Sequence, residues 1–437
     1  MSEKQLTKGP IKPHLIRLAI PAALGMVFNT LYNLTDNWFA GQISDDALAG
    51  LSIASVVFAL FIGLAAGLQS GTSAMVAPDV SGDKKSKVRH WVNNATGIAL
   101  LLSILIIILG LVFGQSLLSV LTESSVTIDL AWQYTWVILL GNLGFVLTNV
   151  AAGALMGFGN TQAFRNVLIA GFFVNWLLNP LFIFVLDLGV AGLAWSTVVI
   201  KLASAVVLFW LLSKEMGVVP HPEFRWRKWK HLLRQIIPSS ANMLTIIVGG
   251  FITIYFVGRF GDEAVAGYSV GVRIEQLLLL TAMGLNAAVM AVAGQSYGAK
   301  DYQRVKETYH QALKLGFFVS LLAMPMMVFL SPLMMDQFSN DDKIIGIGVY
   351  YLRVDALAFF GYVLLFNSVA VLQAIKQPIF PMVIGVLRQM VLPTLANFIL
   401  IVVLDYDVYA IFWAIVCIVL SSAVLMLVYT ERQLRKL

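Results

Sequence analysis

The sequence predicts an all-α polytopic membrane protein, with twelve transmembrane helices in two pseudo-symmetric six-helix bundles around a central cleft. Three observations predict it. The 437-residue chain is 59% hydrophobic and only 12% charged, with a mean hydropathy of +0.84, which no soluble fold tolerates over such a length. Its apolar residues fall into twelve runs of about 20 or more, the length a helix needs to cross a hydrocarbon core of roughly 30 Å. The chain also matches itself when shifted by 217 residues.

In chain order the runs lie near 14–40, 47–78, 88–114, 127–157, 161–186, 190–213, 232–258, 264–296, 305–332, 344–375, 378–404 and 408–430. Several exceed what the slab needs, so tilt or extension beyond the bilayer is expected. The first run follows a polar stretch, MSEKQLTKGPIKP, without a signal-peptide cleavage pattern, and is expected to stay as a helix.

Charge separates the runs and orients them. With both termini on one side, that side holds Lys4, Lys8, Lys12 and Arg17, then Lys84, Lys85, Lys87 and Arg89, then Arg165. Lys214, Arg225, Arg227, Lys228, Lys230 and Arg234 stand between the sixth and seventh runs. Lys300, Arg304, Lys306, Lys376, Arg432, Arg435 and Lys436 complete the set. The opposite loops carry Asp45, Asp46, Glu123, Asp187, Asp262, Asp341, Asp342, Asp405 and Asp407, with Arg259 and Lys343 as cations. This bias predicts a multi-pass protein of the cytoplasmic (inner) membrane with both termini in the cytoplasm.

The repeat lays PAALGMVFNTLYNLTDNWFAGQISDDALAG (21–50) over PSSANMLTIIVGGFITIYFVGRFGDEAVAG (238–267) without a gap. Pro21/Pro238, Met26/Met243, Phe39/Phe256, Gly41/Gly258, Asp45/Asp262, Ala47/Ala264, Ala49/Ala266 and Gly50/Gly267 are identical. The expected organisation is a six-helix bundle over 1–213, a basic cytoplasmic linker over 214–231 and a second bundle over 232–437. Six helices per half give both halves one orientation, an architecture common among transporters. Trp226 and Trp229 in the linker read as interfacial anchors. The stretch is expected to lie against anionic lipid rather than to bind nucleic acid.

Several chemistries are excluded. Cys417 has no partner, and His14, His90, His221, His231 and His310 fall at loops or run ends, so neither disulfide, thiolate site nor metal cluster is expected. No phosphate-cradling GxxxxGK[ST] loop occurs, and GFGNT (157–161) is a short turn without strand context. No Ser/His/Asp set appears in the loops. An enzyme is not expected, and neither is ATP as direct energy source.

One carboxylate stands inside the first run. A charge at the bilayer centre costs roughly 2.5–3.5 kcal/mol even on lenient scales, so Asp36 is the leading functional candidate, a proton-coupling site. Met26, Asn29, Tyr32 and Asp36 recur close to one helix face, with Asn33 beside them, and that face should turn to the interior of the first bundle. Pro21 removes a backbone hydrogen bond and marks a hinge. Tyr134, Asn175, Asn179 and Thr197 supply the donors and acceptors a buried carboxyl group needs in either protonation state. Each of these, taken singly, reads equally well as a tie between helices.

The second half has Thr253 where the first has Asp36. Its own charges are Arg273 with Glu275 and Arg353 with Asp355, each an i,i+2 pair that does not share a helix face. The first pair is expected to join a structural ion network with other helices, and the second to lie near the outer interface. Lys201 and Arg388 are expected to snorkel.

The Pro21…Asp36 helix, the GQISDDALAG turn repeated as GRFGDEAVAG, and GQSYGAKD (294–301) resemble the multidrug and toxic compound extrusion (MATE) family across essentially the whole chain. Asp36 with Asn175-x3-Asn179-Pro180 is similar to its DinF-like branch. The resemblance implies an antiporter exporting organic, cationic and lipophilic compounds by alternating access, as a monomer and without a cofactor. H⁺ is the coupling ion, with Na⁺ as the alternative. Asp36 would be the protonation site with Tyr134, Asn175, Asn179 and Thr197 as its hydrogen-bonding neighbours, Met26, Asn29, Tyr32 and Asn33 would line the substrate cavity, and helix one would bend near Pro21. Some members of the branch carry a second carboxylate where this chain has Asn179. The NorM-like branch uses acids on helices seven and ten, where this chain has Ile246 and Tyr362. The competing readings are a flippase for a lipid-linked oligosaccharide, a Na⁺-coupled exporter of the same fold, a major-facilitator exporter, a channel and a structural scaffold.

Overall fold

The computed structural model describes residues 6–81 and 85–437. Lys4, Lys84 and the side chain of Lys85, counted above among the basic loop residues, lie outside the described residues. Among those described there is no strand, and twelve helices are long and apolar enough to cross a membrane. They are α1 (Ile11–Ile43), α2 (Asp45–Val80), α3 (Ser86–Leu121), α4 (Ser125–Gly157), α5 (Thr161–Val185) and α6 (Gly189–Met216). The second set is α7 (Trp226–Phe260), α8 (Asp262–Gly298), α9 (Tyr302–Phe329), α10 (Asp342–Ala374), α11 (Ile379–Val403) and α12 (Val408–Arg435). The chain is a multi-pass membrane protein. Most helices overrun the apolar runs because a backbone carried past the hydrocarbon still satisfies its hydrogen bonds internally.

Contacts divide the chain into two compact units, one spanning Leu24–Ser240, the other taking the chain up to Ala23 and again from Ala241. The division points are 217 residues apart, the repeat offset, and each falls two residues beyond a repeated proline. Pro21 lies inside α1 and Pro238 inside α7. Each helix therefore serves one unit with its first turns and the other with the rest, whereas the expected boundaries lay at 213 and 232. An apolar run marks a helix but does not say what each end packs against.

Within the expected linker, 214–231, the non-helical stretch covers 217–225. Gly217, at φ +70°, ends α6 in the left-handed conformation that suits glycine, and α7 already starts at Trp226. The linker lies against the start of α3. The Glu223 carboxylate accepts from Asn93 (2.9 Å), Asn94 (3.2 Å) and Arg225 (3.3 Å), and its Oε2 stands 3.2 Å from His90 Nδ1. The Glu223 amide donates to the Asn93 carbonyl at 3.0 Å.

Within the first unit α4 is the central helix, with 72% of its apolar window enclosed; in the second α10 holds that place with 78%. Close approach needs small residues. A Cβ on Gly153 of α4 would stand 2.2 Å from the Gln69 carbonyl oxygen of α2. The repeated turn shows how sequence and geometry trade. Ser44 caps α2 by accepting from the Ala47 amide at 3.0 Å. Its counterpart before α8 is Gly261, which takes φ +99° instead.

Candidate functional site

The polar residues of the first unit converge on one point. Asp36 of α1 is 5% exposed. Its Oδ1 accepts from Asn175 Nδ2 and Asn179 Nδ2, each at 2.9 Å, and its Oδ2 accepts from the Thr197 hydroxyl at 3.3 Å. Tyr32, one turn earlier on α1, donates to the Thr197 oxygen at 2.9 Å. Helix periodicity explains the convergence: α5 buries Leu168, Gly171, Asn175 and Asn179, three or four residues apart along one face. Just past that face Pro180 opens a π-helical turn at Leu181–Val185.

The amide hydrogens are fully used. Asn175 Nδ2 also reaches Asn179 Oδ1 at 3.3 Å, and Asn179 Nδ2 reaches Asn175 Oδ1 at 3.2 Å. Ser196 donates to Asn179 Oδ1 and so fixes which way that amide faces. Asp36 thus meets three donors, all neutral. The nearby cation is Lys201, whose field reaches Asp36 and whose Nζ lies 5.5 Å above the Tyr32 ring and 5.6 Å above that of Phe145. Lys201 is half-buried, with two aromatic faces near its Nζ, and forms no ion pair with Asp36 among the described residues. Sequence reading missed Lys201 and Ser196. The available signal was a lysine one turn beyond Thr197 within an apolar run.

Not every candidate joins the cluster. Tyr134 is buried and close enough to feel the Asp36 charge, yet among the described residues it makes no hydrogen bond to Asp36. Met26 and Asn29 are half-buried, Asn33 is exposed, and neither asparagine hydrogen-bonds to the cluster. Pro21 is buried in α1.

The second unit has its own buried polar group, arranged otherwise than expected. Asp355 is 1% exposed, while Arg353 points out and donates to the Val328 carbonyl at 3.2 Å. The i,i+2 spacing sends the two opposite ways. Glu275 accepts from the Tyr351 hydroxyl, whereas Arg273 is exposed and has no ion pair among the described residues. Tyr362 donates to Asp355 Oδ1 at 3.2 Å. Arg388 is 9% exposed, buried within the unit rather than reaching out as expected.

Comparison with known proteins follows the same symmetry. Residues 21–181 and 238–399 each match the MatE family model, together well over half of the chain, and the two matches begin 217 residues apart. The chain belongs to the MatE family. MatE proteins are transporters, not enzymes. This MatE protein is 24% identical over 401 residues to the FAD transporter of Shewanella oneidensis, covering 89% of this chain and 87% of that one. It is 23% identical over 364 residues to the multidrug export protein MepA of Staphylococcus aureus (strain NCTC 8325 / PS 47), covering 81% and 80%. A solved MOP superfamily transporter from Pyrococcus furiosus superposes with a TM-score of 0.93 at 23% identity, over 100% of this chain and 98% of that chain.

Proposed function

We propose that this MatE protein exports small organic, cationic and lipophilic compounds in exchange for protons, with Asp36 as the protonation site. The observation that carries the reading is a buried carboxylate held by neutral donors alone, next to a hydroxyl chain able to reverse. In the ionised state Tyr32 donates to Thr197 and Thr197 to Asp36. A proton arriving at Oδ2 needs an acceptor, and the Thr197 hydroxyl can rotate to become one. No heavy atom has to move.

A sodium ion is served by oxygen ligands, whereas Asn175 and Asn179 turn N–H groups toward Asp36. That orientation favours H⁺ over Na⁺ as coupling ion. The contact division two residues past Pro21 supports a hinge in α1, since the helix ends there answer to different units. Alternating access follows: deprotonated Asp36 accompanies a drug-holding cavity, protonation is followed by bending of α1, and the drug is released. By linkage, proton and drug weaken one another's binding by the same factor. The relatives named for multidrug export support the substrate class. The DinF-like pattern, cytoplasmic termini, inner-membrane location and a monomeric state belong to the same reading.

The test is efflux of ethidium from proteoliposomes with an imposed pH gradient, comparing the wild type with Asp36→Asn. Gradient-driven efflux in the wild type that Asp36→Asn abolishes, with both proteins monodisperse, is the expected result. Retained gradient-dependent efflux in the variant overturns the assignment of Asp36.

A further inference from the structure

Lys201 lies near the middle of the 28-residue α6, several turns from either end. An ionisable group that deep in a crossing segment is a functional candidate whose partner has to be found. Its backbone is seated by α4, where the Thr148 hydroxyl donates to the Lys201 carbonyl at 3.2 Å. One turn earlier on α4, glycine at 144 lets the helices meet. A Cβ there would stand 3.0 Å from the Lys201 carbonyl carbon and 2.9 Å from the Leu202 nitrogen.

Lys201 follows Thr197 by one helical turn, so both side chains leave the same face of α6. Thr197 donates to Asp36 Oδ2 and accepts from Tyr32, and the Lys201 Nζ lies 5.5 Å above the ring of that same Tyr32. Ammonium and carboxylate thus stand at two ends of one chain of contacts. They act on one another through space rather than as an ion pair. Lys201 is the charged side chain that acts on Asp36. Tyr32 of α1 and Tyr134 of α4 face the carboxylate as phenols, uncharged at neutral pH. From α5 come the amides of Asn175 and Asn179, while Arg165 in its first turns is held by the Asn166 oxygen. Asp45 and Asp46 of α2, Asp129 of α4 and Asp187 before α6 are exposed.

A cation held off by aromatic rings favours the ionised carboxylate without covering either of its oxygens. A direct ion pair would oppose protonation far more strongly, because the attraction grows as the charges approach. We propose that Lys201 is a positioning residue for proton coupling: its charge, carried on the Thr197 face of α6, sets the proton concentration at which Asp36 is neutralised. The inference rests on the reading of Asp36 as the protonation site and adds a second residue that tunes it.

Ethidium binding to purified full-length protein in detergent is followed by fluorescence from about pH 5 to about pH 8. Wild-type affinity is expected to fall on acidification, because proton and drug weaken one another's binding. Lys201→Met removes the charge and keeps the length of the side chain. It is expected to move the midpoint of that fall to higher pH by at least about half a unit, roughly threefold in proton concentration. Lys201→Arg is expected to stay at the wild-type midpoint, and Asp36→Asn to flatten the profile with or without Lys201. The midpoint is the readout, since a merely structural loss lowers affinity at every pH and leaves the midpoint in place. Coincident midpoints for the wild type and Lys201→Met overturn the proposal and leave the export reading standing. A profile that persists in Asp36→Asn, or a wild-type affinity that does not change with pH, overturns the assignment of Asp36 and the proposal with it. If Lys201→Met does not fold, Lys201→Gln decides by the same midpoint.

Discussion

Thr197 places its hydroxyl oxygen 3.3 Å from Asp36 Oδ2 and takes the Tyr32 hydroxyl on the same oxygen at 2.9 Å. A threonine between a carboxyl group and a phenol can run its hydrogen bonds in either direction, which an amide in the same place could not do without turning over. Thr197→Val keeps the shape and removes the hydroxyl. It is expected to cut proton-driven ethidium efflux by at least about tenfold, whereas Thr197→Ser keeps most of it. Equal efflux from the valine and serine variants in proteoliposomes would show that the hydroxyl has no part in coupling.

Asn179 is tied on three sides, to Asp36, Asn175 and Ser196. Asn179→Leu strips a donor from Asp36 and leaves the Ser196 hydroxyl without its side-chain acceptor, and is expected to cost about 1–3 kcal/mol for the groups left unmatched. Thermal unfolding in detergent should register this as a lowered midpoint. A midpoint equal to wild type would mean that the cluster contributes nothing to stability.

Gly97 of α3 carries the linker. A Cβ there would stand 2.3 Å from the Glu223 carbonyl oxygen, a backbone atom that cannot swing aside. Gly97→Ala is expected to cost about 1–3 kcal/mol and to lift the linker off α3. Hydrogen exchange over residues 217–225 should accelerate. Unchanged exchange there would show that the linker is not held by this contact.

Glu223 gives the linker a pH dependence. Burial works to raise its carboxyl, but the hydrogen bonds from Asn93 and His90 and the charges of His90 and Arg225 outweigh it and hold the group below its ordinary value of 4.5. The folded value lies below the unfolded one, so the anchoring is complete above the ordinary value and is lost as pH falls through the folded one. Protease nicking within 217–225, followed from pH 7 downward, is expected to rise only in that acid range. Glu223→Gln should remove the transition. A transition at the same pH in the glutamine variant would assign it to another group.

How far the sequence reached can be judged at particular residues. The helices and their number were legible because a lipid-crossing segment must satisfy its backbone internally and clothe itself in apolar side chains. Asp36, Asn175 and Asn179 stood out for a related reason, since polar atoms within an apolar run need partners. Thr197 and Tyr32 were found on the same ground. Lys201 was not read beside the cluster because snorkelling is the usual habit of a lysine on a long stem, and only packing shows two aromatic rings near its Nζ.

The sequence by itself therefore determined the repeat, the twelve crossings and which side chains needed company. Local periodicity and transfer free energy act along the chain, where they can be read directly. Tertiary structure alone decided which partners they found. It placed Asp355 and Arg388 inside the second unit, left Arg273 outside it, and divided α1 and α7 two residues past their prolines. Those outcomes depend on which helix faces meet, and residues far apart in sequence settle that by packing.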